Sequence, residues 1–142
     1  MTAPAGPRAR TSRGGFAALR LRPGEDLGPA LDRAFAETGA RAGAVAACVG
    51  SLTEAVLRFA GREAGTRVAG PLEIVSLSGT LDPGGHHLHL AVSDDAGRVT
   101  AGHLLAGCPV RTTAEVVLVT LDDLTFGRAP CPLSGWRELT IG

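Results

Sequence analysis

The chain has 142 residues, of which 44% are hydrophobic and 20% are charged, and its fourteen arginines balance fourteen carboxylates. A domain of about 140 residues buries roughly two-thirds of the surface that its unfolded chain exposes, so it can form a core without disulfides or a structural metal. The composition excludes collagen, coiled coils and wholesale disorder, and the zero net charge argues against a surface built to neutralise many phosphates.

The first fourteen residues are rich in Pro, Gly, Arg and Ser and lack a hydrophobic period. They predict a flexible tail over 1–14, followed by a single domain over 15–142. No apolar run approaches the roughly 20 residues of a membrane-spanning helix, and the first residues lack the apolar stretch of a signal peptide. We therefore expect a cytoplasmic protein without membrane contacts.

The predicted elements begin with a strand at 16–22, which Pro23 and Gly24 end. A helix follows, because apolar side chains recur at the 3.6-residue period from Leu27 to Thr38; Asp26 is its expected cap and Gly39 its expected end. The later strands are predicted at 44–50, 55–61, 72–81, 86–93, 98–105, 114–121 and, as a short last one, 136–142. The predicted fold class is α+β, a mostly antiparallel sheet of six to seven strands with one main helix packed on a face.

The three cysteines are widely spaced and form no C-x-x-C pair. Such spacing favours neither a disulfide framework nor a thiolate zinc site. We expect reduced thiols that pack as small hydrophobic groups, at Cys48, Cys108 and Cys131.

All four histidines lie within eighteen residues, which is the most informative feature of the sequence. Alternation along a strand places His87 and His89 on one face and the neighbouring leucines on the core face. His86 then points away from the other two. The stretch from Asp94 to Gly97 is typical of a type I turn closed by a left-handed glycine, and in that register His89 lies opposite His103.

Three imidazoles on one face of a hairpin are suited to bind one ion. Neutral imidazole is a common zinc ligand, and three protein ligands leave a fourth position open for water or substrate. The sequence therefore predicts a metal site, for zinc or another divalent metal, at His87, His89 and His103. The alternative is a set of solvated or hydrogen-bonded histidines, since a one-residue register slip would move His103 to the other face.

Glu115 is a second candidate, because a carboxylate at the head of an apolar strand is costly unless it is paired or hydrogen-bonded. It is interpreted either as a catalytic proton carrier, as a partner that orients a histidine, or as an ion-pair partner of Arg58 or Arg111. Glu73 invites the same interpretation with less support. The sequence contains no G-x-S-x-G elbow, P-loop or dinucleotide fingerprint.

The strings GSLTEAVLRFA, EIVSLSGTL and HLHLAVSDDAGRVTAGHLLAGCPVRTTAEVVL together resemble the plant-and-prokaryote-conserved (PPC) domain over about residues 15–142. The resemblance implies a mostly antiparallel sheet with a flanking helix and a homotrimer. It also implies a zinc site at the histidine trio. Plant members carry AT-hooks that bind DNA, but no R-G-R-P core occurs here. A more distant fold resemblance is to acetolactate decarboxylase, in which a three-histidine zinc polarises the substrate carbonyl.

Three functional hypotheses follow. The chain is a homotrimeric metal-containing module that binds a partner or a small-molecule ligand, a zinc-dependent small-molecule enzyme in which Glu115 moves a proton, or a DNA-associated regulator. The last hypothesis depends on arginines in the tail, namely Arg8, Arg10 and Arg13. Neutral charge and the lack of an AT-hook count against it.

Overall fold

A computed structural model describes residues 8–142 of the chain. Its elements are β1 (Phe16–Leu21), α1 (Leu27–Glu37), β2 (Gly43–Arg58), β3 (Thr66–Asp82), β4 (Gly85–Ser93), β5 (Val99–Leu104), β6 (Val110–Thr120), β7 (Phe126–Pro130) and β8 (Arg137–Ile141). The first six strands form one sheet in the order β1-β6-β2-β3-β4-β5, and β7 pairs with β8. These pairings are antiparallel. The predicted α+β class with a mostly antiparallel sheet and one helix is therefore confirmed.

Strand β2 joins the strand predicted at 44–50 to the first part of the one predicted at 55–61, and it ends at Arg58. Its pairing shifts register near Leu52, where β-bulges interrupt the ladder. Bulges bend a strand and increase its twist, so the first part of β2 pairs with β6 and its last two residues, Leu57 and Arg58, pair with β5. Strands β2, β3, β4 and β5 consequently close on one another at this end of the sheet.

The core lies between helix α1 and the concave side of the sheet. Leu27, Leu31 and Phe35 of α1 are buried among leucines and valines of the strands. Gly39 ends the helix with a positive φ of 72°, as predicted. Asp26 does stand at the N-cap, but its carboxylate accepts hydrogen bonds from the amides of Gly107 and Cys108 rather than from the helix. Asp26 is therefore the N-cap residue, as predicted, but its side chain makes no capping hydrogen bond to the helix.

The structure contains one strand that was not predicted and one ion pair that involves the predicted tail. Strand β7, with the sequence FGRAP, was not predicted, because it is short and contains Gly and Pro. Arg13, near the end of the predicted tail, donates from its guanidinium to the Asp123 carboxylate at 2.8 Å. Residues 1–7 of that tail lie outside the described residues, and the tail stays a prediction there.

The three cysteines are free thiols, as predicted. Burial raises the pKa of Cys48 and of Cys108 to about 11, so both stay protonated at neutral pH. Within residues 8–142, no helix has the length and apolar character needed to cross a membrane.

Candidate metal centre

The β4–β5 hairpin has the predicted turn and register. Gly97 adopts a positive φ of 76°, and the amide of Asp94 donates to the carbonyl of Arg98 at 3.0 Å. The Asp94 carboxylate also accepts from the amides of Ala96 and Arg98 at 2.9 Å. This turn fixes the ladder in which Ser93 lies opposite Val99 and, further along, His89 lies opposite His103.

The three predicted histidines come together on the outer face of this hairpin. The rings of His89 and His103 are in edge contact with centroids 4.6 Å apart. The ring of His87 stacks on that of His103 at 5.5 Å and lies 5.5 Å from that of His89. One nitrogen of each ring lies within 4.8 Å of the corresponding nitrogens of the other two.

The fit of this trio to a metal can be judged from the donors themselves. A tetrahedral zinc ion bound at 2.0–2.1 Å holds two nitrogens about 3.4 Å apart, so rings whose nitrogens lie within 4.8 Å must move closer together by up to about 1.4 Å to bind it. His87 and His89 are exposed and His103 is half-buried. The trio therefore suits a divalent ion with an accessible fourth position.

His86 points away from the trio, as the strand alternation predicted. Both oxygens of Asp32 on α1 lie 3.0 Å from its Nδ1, and the carbonyl of Leu104 lies 3.4 Å from its Nε2. These contacts join β4 to the helix. Both ring nitrogens of His86 therefore have partners within the fold.

Burial and nearby positive charges favour the neutral form of two of these imidazoles by lowering the pKa of His87 and of His103. Removal of water lowers the pKa of His87, and the charges of Arg128 and His89 lower that pKa further, whereas Glu138 acts in the opposite direction. Burial also lowers the pKa of His103, and Arg58 is the next largest cause. Since metals bind the unprotonated ring, both shifts favour metal binding at neutral pH.

A cavity of about 640 Å³ adjoins the histidines. His87 and His103 line it, and so does Arg58, which lies opposite His103 in the β2–β5 pair. The β7–β8 hairpin forms another wall, with Arg128 on β7 and Trp136 just before β8. Two of the three histidines therefore line a cavity large enough for a small organic molecule.

Comparison with known proteins identifies the family. Residues 9–122 match the Plants and Prokaryotes Conserved (PCC) domain. The chain belongs to this family. That result confirms the resemblance to the PPC domain inferred from the sequence motifs.

Relatives of this PCC domain include both a larger protein and single-domain structures. It is 46% identical over 123 residues to the bifunctional protein GlmU of Synechococcus sp. (strain JA-3-3Ab), a match that covers 87% of this chain and 20% of that protein. The chain thus spans about a fifth of the length of the curated relatives it matches.

Two solved structures extend the comparison. A hypothetical protein from Salmonella cholerae-suis (Salmonella enterica) has a TM-score of 0.92 and 47% identity, covering 95% of this chain and 98% of that one. The metal-containing protein AF0104 from Archaeoglobus fulgidus has a TM-score of 0.81 and 26% identity, covering 94% and 99%.

Glu115 of this PCC domain lies on β6, where it is exposed and stands opposite Arg20 of β1 and Val49 of β2. It is absent from the cavity lining and from the histidine group, and the catalytic role assigned to it stays a prediction. Glu73 is also exposed, opposite Ser51 and Ser93. An exposed carboxylate keeps its hydration, so neither residue carries the burial cost that drew attention to it.

Sequence reasoning did not find the arginines of the cavity. Arg58 was considered only as an ion-pair partner of Glu115, and Arg128 lies on the strand that was not predicted. Arg58 comes next to His103 through the β2–β5 pairing, and Arg128 comes next to His87 through its side-chain contacts with Thr80 and Asp82. Arg58 is the last residue of β2, and the residues around it in the sequence did not indicate that it would line a cavity.

Proposed function

We propose that this PCC domain is a homotrimeric cytoplasmic module that binds zinc, or another divalent metal, at His87, His89 and His103. The bound metal and the adjoining cavity bind a small-molecule ligand, so that the domain acts as a regulatory module. The convergence of three imidazole nitrogens within 4.8 Å beside a cavity of about 640 Å³ carries this proposal.

The chemistry of the donors favours zinc. Imidazole suits zinc, copper, iron and nickel, whereas magnesium and calcium prefer oxygen ligands. A set of three neutral nitrogens with one open position is typical of zinc sites that bind an exchangeable ligand. The metal-containing Archaeoglobus relative, at 26% identity, adds independent support.

The outer face of the sheet supports the homotrimer. Phe16, Val49 and Val75 are 77%, 58% and 55% exposed, on strands β1, β2 and β3. Large exposed apolar side chains on one sheet commonly mark a surface that another subunit covers, and the number of three subunits is the one that the family resemblance implies.

The metal site is tested by metal analysis of untagged protein. We expect near-stoichiometric zinc in the wild type and loss of most of it in His89→Ala and His103→Ala, because each substitution removes one of three ligands. His86→Gln is the matched control, since its ring contacts Asp32 and Leu104 instead. A metal-free wild type, or equal loss in all the variants, would contradict the site.

A zinc-dependent small-molecule enzyme is a second candidate, favoured by the presence of Glu138 in the same cavity. A zinc ion with an open position supplies Lewis-acid chemistry when bound. Arg58 and Arg128 would orient a substrate, and a carboxylate on the wall can accept or donate a proton. The resemblance to acetolactate decarboxylase is in keeping with this candidate only at the level of fold.

Association with DNA stays a prediction of the family resemblance. Of the tail arginines, Arg8 and Arg10 are exposed, while Arg13 pairs with Asp123. That pair reduces the positive charge that Arg13 offers to a phosphate backbone. A steep salt dependence of duplex binding would favour this role.

A further inference from the structure

Arginine outnumbers carboxylate in the cavity next to the histidines. Its lining contains four arginines and two glutamates: Arg58, Arg62, Arg128, Arg137, Glu63 and Glu138. The whole chain has no net charge, so this excess is local. Like charges gathered in a cleft raise the local concentration of a ligand of opposite sign.

Arg58 is the arginine of this group that lies opposite a histidine of the trio, and its charge is unpaired, as are those of Arg62 and Arg137 among the described residues. It lies opposite His103 and donates from Nη1 to the carbonyl of Arg62 at 3.3 Å. No ion pair of the described part of the chain includes it. A guanidinium carries five N–H donors in a planar fork, so most of its donors remain available to a ligand in the cavity.

Arg128 is held more rigidly than Arg58. Its guanidinium donates to Oγ1 of Thr80 at 3.2 Å and lies 3.6 Å from the Asp82 carboxylate, and its side chain is only 23% exposed. Arg137 donates to the backbone carbonyl of Arg128 at 2.6 Å, which links the two strands of the hairpin. Since Thr80 lies opposite His87 in the β3–β4 pair, these contacts keep the Arg128 charge beside the histidines.

Three neutral imidazoles do not neutralise a divalent cation, which therefore attracts an anion to its open position. We propose that the cavity binds an oxyanion group, a carboxylate or a phosphate, of a small molecule, and that Arg58 binds this group beside the metal. Arginine binds both groups through paired N–H donors. Trp136 lines the same cavity and is 72% exposed, so it offers an apolar surface to the rest of the molecule. This inference rests on the metal site proposed above.

The test uses full-length protein loaded with cobalt(II), whose visible absorption reports changes in its ligands. Acetate, inorganic phosphate and neutral acetamide are titrated against the wild type and against Arg58→Met, which keeps an unbranched side chain without the charge. Arg33→Met is the matched control, because Arg33 is an exposed helix residue outside the cavity lining. Metal content is measured first for each protein.

We expect saturable spectral changes with acetate or phosphate, none with acetamide, and an anion Kd at least tenfold higher in Arg58→Met than in Arg33→Met. A response to acetate alone assigns a carboxylate, and a response to phosphate alone assigns a phosphate. Stoichiometric cobalt without an anion response, or equal Kd values in both variants, would overturn the anion site and leave the metal site standing. A wild type that takes up no cobalt would overturn both.

Discussion

His86 and His87 are adjacent in the chain, but their imidazoles serve different parts of the molecule. Side chains alternate along β4, so His87 joins the metal trio and His86 turns towards α1. Gly28 of the helix leaves room for that ring, because a Cβ there would lie 2.8 Å from its Cε1. One residue of difference in position thus decides that His86 makes a structural contact with the helix and that His87 belongs to the candidate site.

The ion pair of Arg13 and Asp123 gives a pH prediction at the same scale. Hydrogen bonds from Arg13 lower the pKa of Asp123 from 3.8 to about 2. Because the folded pKa is the lower one, the pair stabilises the fold above pH 3.8, and this contribution is lost as pH falls through about 2. In Arg13→Ala we expect the Asp123 pKa, measured by NMR titration, to return towards 3.8.

Arg10→Ala is the control for that titration, because it removes a nearby arginine that is not in the Arg13–Asp123 ion pair. An unchanged Asp123 pKa in Arg13→Ala would show that Arg13 does not hold this carboxylate in solution. The backbone hydrogen bonds of Arg13 with Asp122 and Asp123 would then be what holds this segment against the domain.

At the scale of elements, the β4–β5 hairpin was predictable and its surroundings were not. Its register depends on the few residues from Asp94 to Arg98, whose turn preferences are visible in the sequence. The contact of Arg58 with β5 depends instead on bulges in β2 and on a pairing some forty-five residues apart. For this reason the sequence predicted that the three histidines lie together but not that arginines lie beside them.

Gly102 lies on β5, and its lack of a side chain allows β5 to approach the end of β2 closely. A Cβ at Gly102 would lie 2.9 Å from the carbonyl oxygen of Arg58, closer than side chains normally pack against backbone. We expect Gly102→Ala to force β5 away from β2 and to lower the free energy of unfolding by about 1–3 kcal/mol, measured by urea denaturation. Ala101→Ser, at an exposed position of the same strand, is the control. Equal stability of the two variants would contradict the tight contact.

At the scale of the whole molecule, the two sides of the sheet differ: on the side that carries the histidines, the β7–β8 hairpin covers the region beside them, whereas Val49 and Val75 are exposed. Helix α1 packs over the core side. The opposite side carries Val49 and Val75, together with Glu115, which stands opposite Val49. In the proposed homotrimer this face is the surface on which subunits meet. The sequence did not identify this face, because strand patterns show alternation but not which exposed valines lie together.

The oligomer is tested by disrupting this face. We expect Val49→Asp combined with Val75→Asp to convert a trimer into monomers, because two carboxylates would be desolvated in the interface. Light scattering after size-exclusion chromatography measures the mass. Leu133→Asp is the control, since Leu133 is 88% exposed in the turn between β7 and β8, away from β2 and β3. A trimer that survives the double substitution, or a wild type that is monomeric, would contradict the proposed interface.

The three imidazoles belong to one short hairpin, whereas the neighbouring arginines come from strands far away in the chain. These two parts of the site are therefore free to evolve separately. If the proposed metal site is present, homologues that retain the hairpin can keep that site while exchanging the guanidinium groups, and so acquire specificity for a different molecule.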